Sequence, residues 1–135
     1  MSLQLEIVSP EKLLLARPVE MVVIPAAEGE MGVLPLHSPM LVMLRGGTIA
    51  ITENGQVTDR LYVAGGFAEI TPERCTVLAN EAVPVGELSR AAAEQRLAAA
   101  TTAFEAVDKM DTVAIDAAMD AIQSARAMVE AAQGA

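Results

Sequence analysis

The sequence predicts an all-β N-terminal sandwich followed by a C-terminal antiparallel α-helical hairpin. Residues 1–86 contain short apolar runs with turn signals about every 8 to 12 residues, which is typical of a sandwich or barrel. Residues 87–135 contain 17 alanines, no proline and no glycine before Gly134, and alanine is the best helix former. We therefore expect a β-sandwich domain over residues 1–86 and an alanine-rich two-helix hairpin, a mobile arm, over residues 87–135.

The first strands are predicted from alternation and from stop signals. Residues 3–7 alternate apolar with polar side chains, and Ser9-Pro10 ends that run. Residues 19–24 form a continuous apolar strand that stops at Pro25. Further on, Asn54-Gly55 predicts a hairpin turn, because both residues tolerate a positive φ.

The last strands follow the same logic. A strand through Leu61 and Val63 leads to a turn or bulge at Gly65-Gly66, and residues 67–70 form the next strand. Residues 71–74 turn the chain back into a strand whose one face carries Cys75, Val77 and Ala79. The total is an antiparallel sandwich of about eight to ten strands.

Two helices are predicted after Gly86. Ser89 is the expected N-cap of the first, a break falls at residues 109–111, and Asp111 or Thr112 caps the second. One face of each helix is apolar: Ala93, Leu97, Ala100, Phe104 and Val107 in the first, and Ile115, Ala118, Ile122, Ala125 and Val129 in the second.

The predicted hairpin has few large apolar side chains. About five such residues at the seam, each worth roughly 1.5–3 kcal/mol when buried, do not offset the ordering of some 45 residues. The hairpin should therefore need a surface to lie on, either its own sandwich or a partner, which suggests an arm that can detach.

The composition excludes several functions. A net charge of −9 argues against nucleic-acid binding and against docking on anionic lipid, and favours a basic protein partner. The longest uncharged run, residues 31–44, is broken by Pro35 and Pro39 and is too short to span a bilayer. The sequence shows no signal peptide, and we expect an acidic cytoplasmic protein without direct membrane insertion.

No catalytic or metal site is expected. His37 is the only histidine and Cys75 the only cysteine, so they cannot build a metal site, and a small buried hydrophobe is the ordinary interpretation of Cys75. Gly29-Glu30-Met31-Gly32 lacks the lysine and helix of a phosphate loop. We therefore expect a non-enzyme without cofactors.

Residues 25–44 form the one segment that indicates function. They are rich in Gly and Pro and are expected to form a long irregular connection that carries Glu28, Glu30 and His37. One interpretation is an ordered loop tucked under the sandwich. The other, which we favour, is a protein-docking loop in which Glu30 and His37 offer the specific polar contacts.

This segment resembles the epsilon subunit of F-type ATP synthases, the delta subunit of mitochondria. The resembling run is Glu28-Gly29-Glu30-Met31-Gly32-Val33-Leu34-Pro35-Leu36-His37-Ser38-Pro39-Met40. Residues 62–70 and 76–82 are also similar to the family, and so is the order of sandwich and hairpin. The resemblance covers nearly the whole chain.

The resemblance implies a non-catalytic central-stalk (rotor) subunit, on the cytoplasmic face of the bacterial inner membrane, that couples rotation of the c-ring to ATP synthesis. It implies contact with the gamma subunit and the c-ring through Glu28, Gly29, Glu30, Met31, Gly32 and His37. In many bacterial members the hairpin extends toward the alpha/beta catalytic head and inhibits ATP hydrolysis. Arg90, Arg96 and Arg126 are the arginines of this arm, and Arg96 and Arg126 are available for acidic partners unless they are simply solvated.

Two departures from the family pattern matter. Leu36 stands where the family usually has glycine before the histidine. Residues 88–93 replace the Ile/Leu-Asp-x-x-Arg-Ala motif with which some members bind ATP: Ser89 stands for the Asp and Ala92 for the Arg. The expectation is therefore no nucleotide binding by the arm. A free-standing regulatory ligand-binding module is the alternative function.

Overall fold

A computed structural model describes residues 2–133 and has the predicted class of fold, strands followed by two helices. The elements are β1 Leu3–Val8, β2 Leu13–Val19, β3 Met21–Ala26, β4 Gly29–Val33, β5 Met40–Glu53, β6 Gln56–Ile70, β7 Arg74–Ala79, β8 Ala82–Pro84, a 3-10 turn Val85–Glu87, α1 Arg90–Ala106 and α2 Thr112–Gln133.

The strands form one continuous hydrogen-bonded path, in the order β2-β1-β7-β6-β5-β3-β4, and β8 pairs with β6. All of these pairs are antiparallel except β1 with β7, which run parallel from Gln4 opposite Arg74 to Val8 opposite Leu78. The expectation of a wholly antiparallel sandwich was therefore wrong at this pair. Strands so far apart in sequence need no tight turn between them, so direction is free to follow the packing.

The predicted strand over residues 19–24 is divided in the structure. β2 ends at Val19, and β3 begins at Met21 and runs through Pro25 to Ala26. Glu20 lies at the break, where its carboxylate accepts a hydrogen bond from the Gly55 N–H at 3.1 Å. Pro25 is tolerated because the β3–β5 register shifts between Val23 and Ala26, so no ladder hydrogen bond requires its missing N–H.

The predicted turn or bulge at Gly65-Gly66 is also absent, because the pairing register does not shift there. β6 continues through both glycines, which have φ values of 111° and 119°. A Cβ atom on Gly66 would lie 2.1 Å from the carbonyl oxygen of Leu78. Glycine is needed here because β7 approaches the backbone of β6 too closely for any side chain.

The core lies between the two layers of the sandwich. β1 and β7 contribute side chains that are fully buried, and β3 and β5 contribute the facing set: Leu3, Leu5, Ile7, Cys75 and Val77 on one side, Val22, Ile24, Ile49 and Ile51 on the other. Burial raises the pKa of the Cys75 thiol to about 11, because the thiolate is disfavoured away from water. Cys75 is therefore a packing residue, as its alternation predicts.

The helices begin where local chemistry predicts. The Ser89 hydroxyl accepts from the Ala92 N–H at 3.1 Å, and the Asp111 carboxylate accepts from the Ala114 N–H at 3.1 Å. The hairpin lies on the sandwich, where Ala93 and Met128 bury the side chain of Tyr62. The surface that the hairpin was expected to need is thus its own sandwich, and the division into two domains at residue 86 stays a prediction.

Candidate protein-docking surface

The predicted docking segment is more regular than the sequence suggests. Residues 25–44 were expected to form one long irregular connection, and this was wrong. The end of β3 turns at Ala27-Glu28 into β4, and β5 begins at Met40, so only residues 34–39 are irregular. Backbone pairing of Ala26 with Gly29 and Pro25 with Glu30 makes the glycine-rich stretch a hairpin.

The β3–β4 turn presents the predicted acidic residues. Glu28 and Glu30 are exposed, and among residues 2–133 neither carboxylate takes part in an ion pair. Gly29 and Met31 are half-buried in β4, and Gly32 is exposed. The turn therefore offers two carboxylates to a partner without first having to break a bond within the chain.

The segment of residues 34–39 is fixed by its backbone. Leu36 has a φ of 70°, and its N–H donates to the carbonyl of Pro72 at 2.8 Å, which ties the segment to the β6–β7 turn. The Leu36 side chain is 65% exposed. His37 lies beside it, and its Nδ1 donates to the carbonyl of Ser38 at 2.8 Å. A left-handed leucine costs free energy, so this exposed apolar tip is held by its surroundings.

Two clefts flank Glu30. One, of about 490 Å³, lies between β4, β5 and α2, and Glu30, Arg45 and Arg126 are among the residues that line it. The other, of about 520 Å³, is lined by residues 26–31 and 40–43. His37 lines neither cleft. Among the described residues, Glu30 and His37 are therefore not joined by a hydrogen bond or an ion pair.

An exposed apolar surface adjoins this region, and it was not among the features predicted from the sequence. Met43 lies opposite Phe67, and Phe67 lies opposite Leu78, so three neighbouring strands place one apolar residue each side by side. These side chains are 62%, 37% and 37% exposed, and Leu41, two residues before Met43, is 68% exposed. We call Leu41, Met43, Phe67 and Leu78 the apolar row.

A signal for the apolar row exists in the sequence. A strand with one buried face alternates apolar and polar residues, whereas residues 40–44 are all apolar. Packing of the core explains why the inward-facing residues of this run are apolar, but it does not explain why the outward-facing residues are apolar as well. Their position beside Phe67 and Leu78 requires the strand register and could not be found from the run alone.

Comparisons with known proteins decide the family. Residues 2–85 match the family model of the ATP synthase delta/epsilon chain β-sandwich domain. An ATP synthase epsilon chain of Granulibacter bethesdensis is 71% identical over 129 residues, 96% of each chain. The chain belongs to the ATP synthase epsilon-chain family. Another epsilon chain, from Gluconacetobacter diazotrophicus, is 46% identical over 99% of this chain and 95% of its own length.

Membership of this family confirms the resemblance and the predicted role of a non-catalytic, central-stalk subunit of an ATP synthase. A chain of the Euglena gracilis mitochondrial ATP synthase OSCP/F1/c-ring structure has a TM-score of 0.79 at 23% identity, over 96% of this chain and 81% of that one. This likeness supports the fold. Within residues 2–133 no helix is long and apolar enough to cross a membrane.

The three arginines of the hairpin have different surroundings. Arg90 pairs with Glu94 on the exposed face of α1, four residues away. Arg96 donates to both carboxylate oxygens of Glu81, at 2.9 and 2.5 Å, and this holds the pKa of Glu81 below its ordinary value. Arg126 faces the cleft with Glu30. With the hairpin on the sandwich, Arg96 is therefore already engaged within the chain.

Proposed function

We propose that this ATP synthase subunit docks on the gamma subunit through the apolar row and on the c-ring through the β3–β4 turn and residues 34–39. The observation that carries the proposal is the apolar row. Side chains of this size, grouped on one face and exposed, are typical of protein interaction sites, whereas scattered ones are not.

The two contacts differ in chemistry. Covering the apolar row stabilises the complex by about 25 cal/mol for each Å² of apolar surface removed from water. The neighbouring turn offers the carboxylates of Glu28 and Glu30 and the exposed Leu36. A rotor subunit that holds gamma firmly and also touches the ring would transmit rotation between them. It would lie at the cytoplasmic face of the inner membrane as part of the complex.

The apolar row is tested with Met43→Asp. Because the Met43 side chain is 62% exposed, the charge should leave the fold intact but oppose burial in an interface. The matched control is Val57→Asp, at the other end of β6, where the side chain is 44% exposed. We expect Met43→Asp to weaken copurification with gamma at least tenfold and Val57→Asp to leave it unchanged. Equal binding by both variants would remove the apolar row from the interface.

The turn is tested by cross-linking. Glu30→Cys places a thiol on the exposed turn, and the native Cys75 is buried and does not compete. We expect a cross-link to a c subunit in the assembled complex, and none from Asn54→Cys at the opposite β5–β6 turn. Cross-links from both positions, or from neither, would contradict the assignment of the turn to the ring.

The predicted brake on ATP hydrolysis stays a separate prediction. The test is to measure the rate of ATP hydrolysis in complexes that carry the whole chain and in complexes whose chain ends at Val85. A higher rate after truncation would support contact between the hairpin and the alpha/beta head, and an unchanged rate with intact assembly would exclude a brake.

A further inference from the structure

The β3–β5 ladder contains a gap. Val23 pairs with Ala50 and Ala26 pairs with Leu44, so residues 24–25 of β3 face residues 45–49 of β5. The two strands cannot match backbone groups over this stretch, and Pro25 has no N–H to donate. On the side that faces β3, part of the β5 backbone is therefore left without a strand partner.

Gly46 lies in this gap with both of its backbone groups directed away from β6. Its partner on β6, Ala64, donates its own N–H to the carbonyl of Glu81, on the other side of that strand. In an antiparallel ladder the N–H and C=O of one residue point to the same side, so those of Gly46 point into the gap. A buried peptide group without a partner would be costly.

The side chain of Gln123 fills the gap from α2. The Gly46 N–H donates to Oε1 of Gln123 at 2.9 Å, and Nε2 of Gln123 donates to the Gly46 carbonyl at 2.7 Å. A carboxamide has the same donor and acceptor pair as a peptide group, so Gln123 takes the place of a missing strand residue. Gly46 also lets the helix approach, because a Cβ there would lie 2.5 Å from the Ser124 Cα.

One further hydrogen bond comes from beneath the same turn of α2. The Tyr62 hydroxyl donates to the carbonyl of Ser124 at 2.7 Å, and the Tyr62 side chain is fully buried. Within residues 2–133 the other buried members of the apolar cluster around it are Ala93 and Met128, and its partly buried members are Ala64, Leu88, Ala127, Val129 and Ala131. Most of these side chains are small, so the paired polar contacts at Gln123 contribute strongly to the position of α2.

We infer that Gln123 is the positioning residue that seats the hairpin on the sandwich, by completing the β3–β5 ladder at Gly46. This contact lies within the chain itself and needs no partner subunit. Loss of the Gln123 carboxamide should shift the hairpin toward an undocked state while the sandwich stays folded.

Chemical labelling of two residues that each occur once in the chain distinguishes undocking of the hairpin from opening of the sandwich. Tyr62 is the only tyrosine and lies under the hairpin, whereas Cys75 is the only cysteine and lies within the sandwich core. Acetylation of the Tyr62 phenol by N-acetylimidazole reports undocking, and reaction of Cys75 with N-ethylmaleimide reports opening of the sandwich. Each labelling rate is proportional to the open fraction when reclosing is faster than the reagent.

The experiment compares Gln123→Ala with Gln95→Ala, an equivalent change at an exposed position of α1. In Gln123→Ala we expect Tyr62 to be labelled about tenfold faster, since two ordinary hydrogen bonds are lost, and Cys75 to react at the wild-type rate. Gln95→Ala should change neither rate. Gln123→Glu, which keeps an acceptor for the Gly46 N–H but loses the donor, should also label faster.

Two outcomes would overturn the inference. If Tyr62 labelling is the same in Gln123→Ala and Gln95→Ala, the carboxamide does not hold the hairpin. If Tyr62 and Cys75 labelling rise together, the hairpin and the sandwich open as one unit, and Gln123 supports the whole fold rather than seating the hairpin.

Discussion

The interior of the sandwich and the interface beneath the hairpin are built differently. The sandwich buries large aliphatic side chains from both layers, such as Leu5 and Ile24. The interface buries Tyr62, Ala93 and Met128 and is fixed by hydrogen bonds to Gly46 and Ser124. Burial of apolar area therefore stabilises the sandwich, whereas matched polar groups fix the position of the hairpin on it.

The largest expected loss of stability comes from adding a side chain at Gly66, where the backbones of β6 and β7 lie close together. Gly66→Ala combines a φ of 119° with a Cβ only 2.1 Å from the Leu78 carbonyl oxygen, so β7 must move. We expect the free energy of unfolding to fall by about 3 kcal/mol or more in urea titrations. Gly86→Ala is the control, because nothing lies within 4 Å of its added Cβ. Similar midpoints for the two variants would contradict the geometry at Gly66.

Truncation of one large side chain in each region sharpens the comparison. Ile24→Ala removes a fully buried side chain of the core and should cost about 2–5 kcal/mol of unfolding free energy. Met128→Ala, at the 7% exposed edge of the hairpin interface, should cost about 1–2 kcal/mol, because the space left can be reached by water. Chemical denaturation measures both. Equal losses would mean that the interface is packed as tightly as the core.

The smallest expected effect is the pH dependence of the Arg96–Glu81 pair. Hydrogen bonding to Arg96 lowers the pKa of Glu81 from its ordinary 4.5, so the pair stabilises the folded chain above that pH. The contribution is lost as the pH falls through the folded pKa. The side chains are 44% and 36% exposed, so solvent screening limits it to less than about 1 kcal/mol.

Glu81→Gln checks this directly. The difference in unfolding free energy between wild type and variant should be present at pH 7 and should vanish in acid below the folded pKa. A difference that persists unchanged into acid would show that packing of Glu81, rather than its charge, is responsible.

Features set by neighbouring residues were predictable from the sequence. Ser89 and Asp111 cap their helices, and Asn54 and Gly55 both adopt positive φ at the predicted hairpin. Each of these depends on side chains within a few positions. Their success reflects local chemistry that tertiary packing did not override.

Features set by strand pairing were not predictable. The glycines and Pro25 make residues 25–44 resemble a loop, yet pairing with β3 turns Gly29–Val33 into a strand. Gly65-Gly66 resembles a turn, but pairing on both sides keeps β6 continuous. The same limit applies to the site. Its acidic turn could be predicted, whereas the apolar row exists only once Met43, Phe67 and Leu78 are in register.

The parallel pair of β1 and β7 has a consequence for the order in which the chain acquires structure. β1 lies between β2 and β7, so β1 cannot pair with its second neighbour until Ala79 has been synthesised. Contacts across such a separation are slow to form. The hairpin emerges after them, and its helices are local and fast. Its seat at Gly46 and Tyr62 lies on the β5–β6 hairpin, whose two strands are synthesised before either helix.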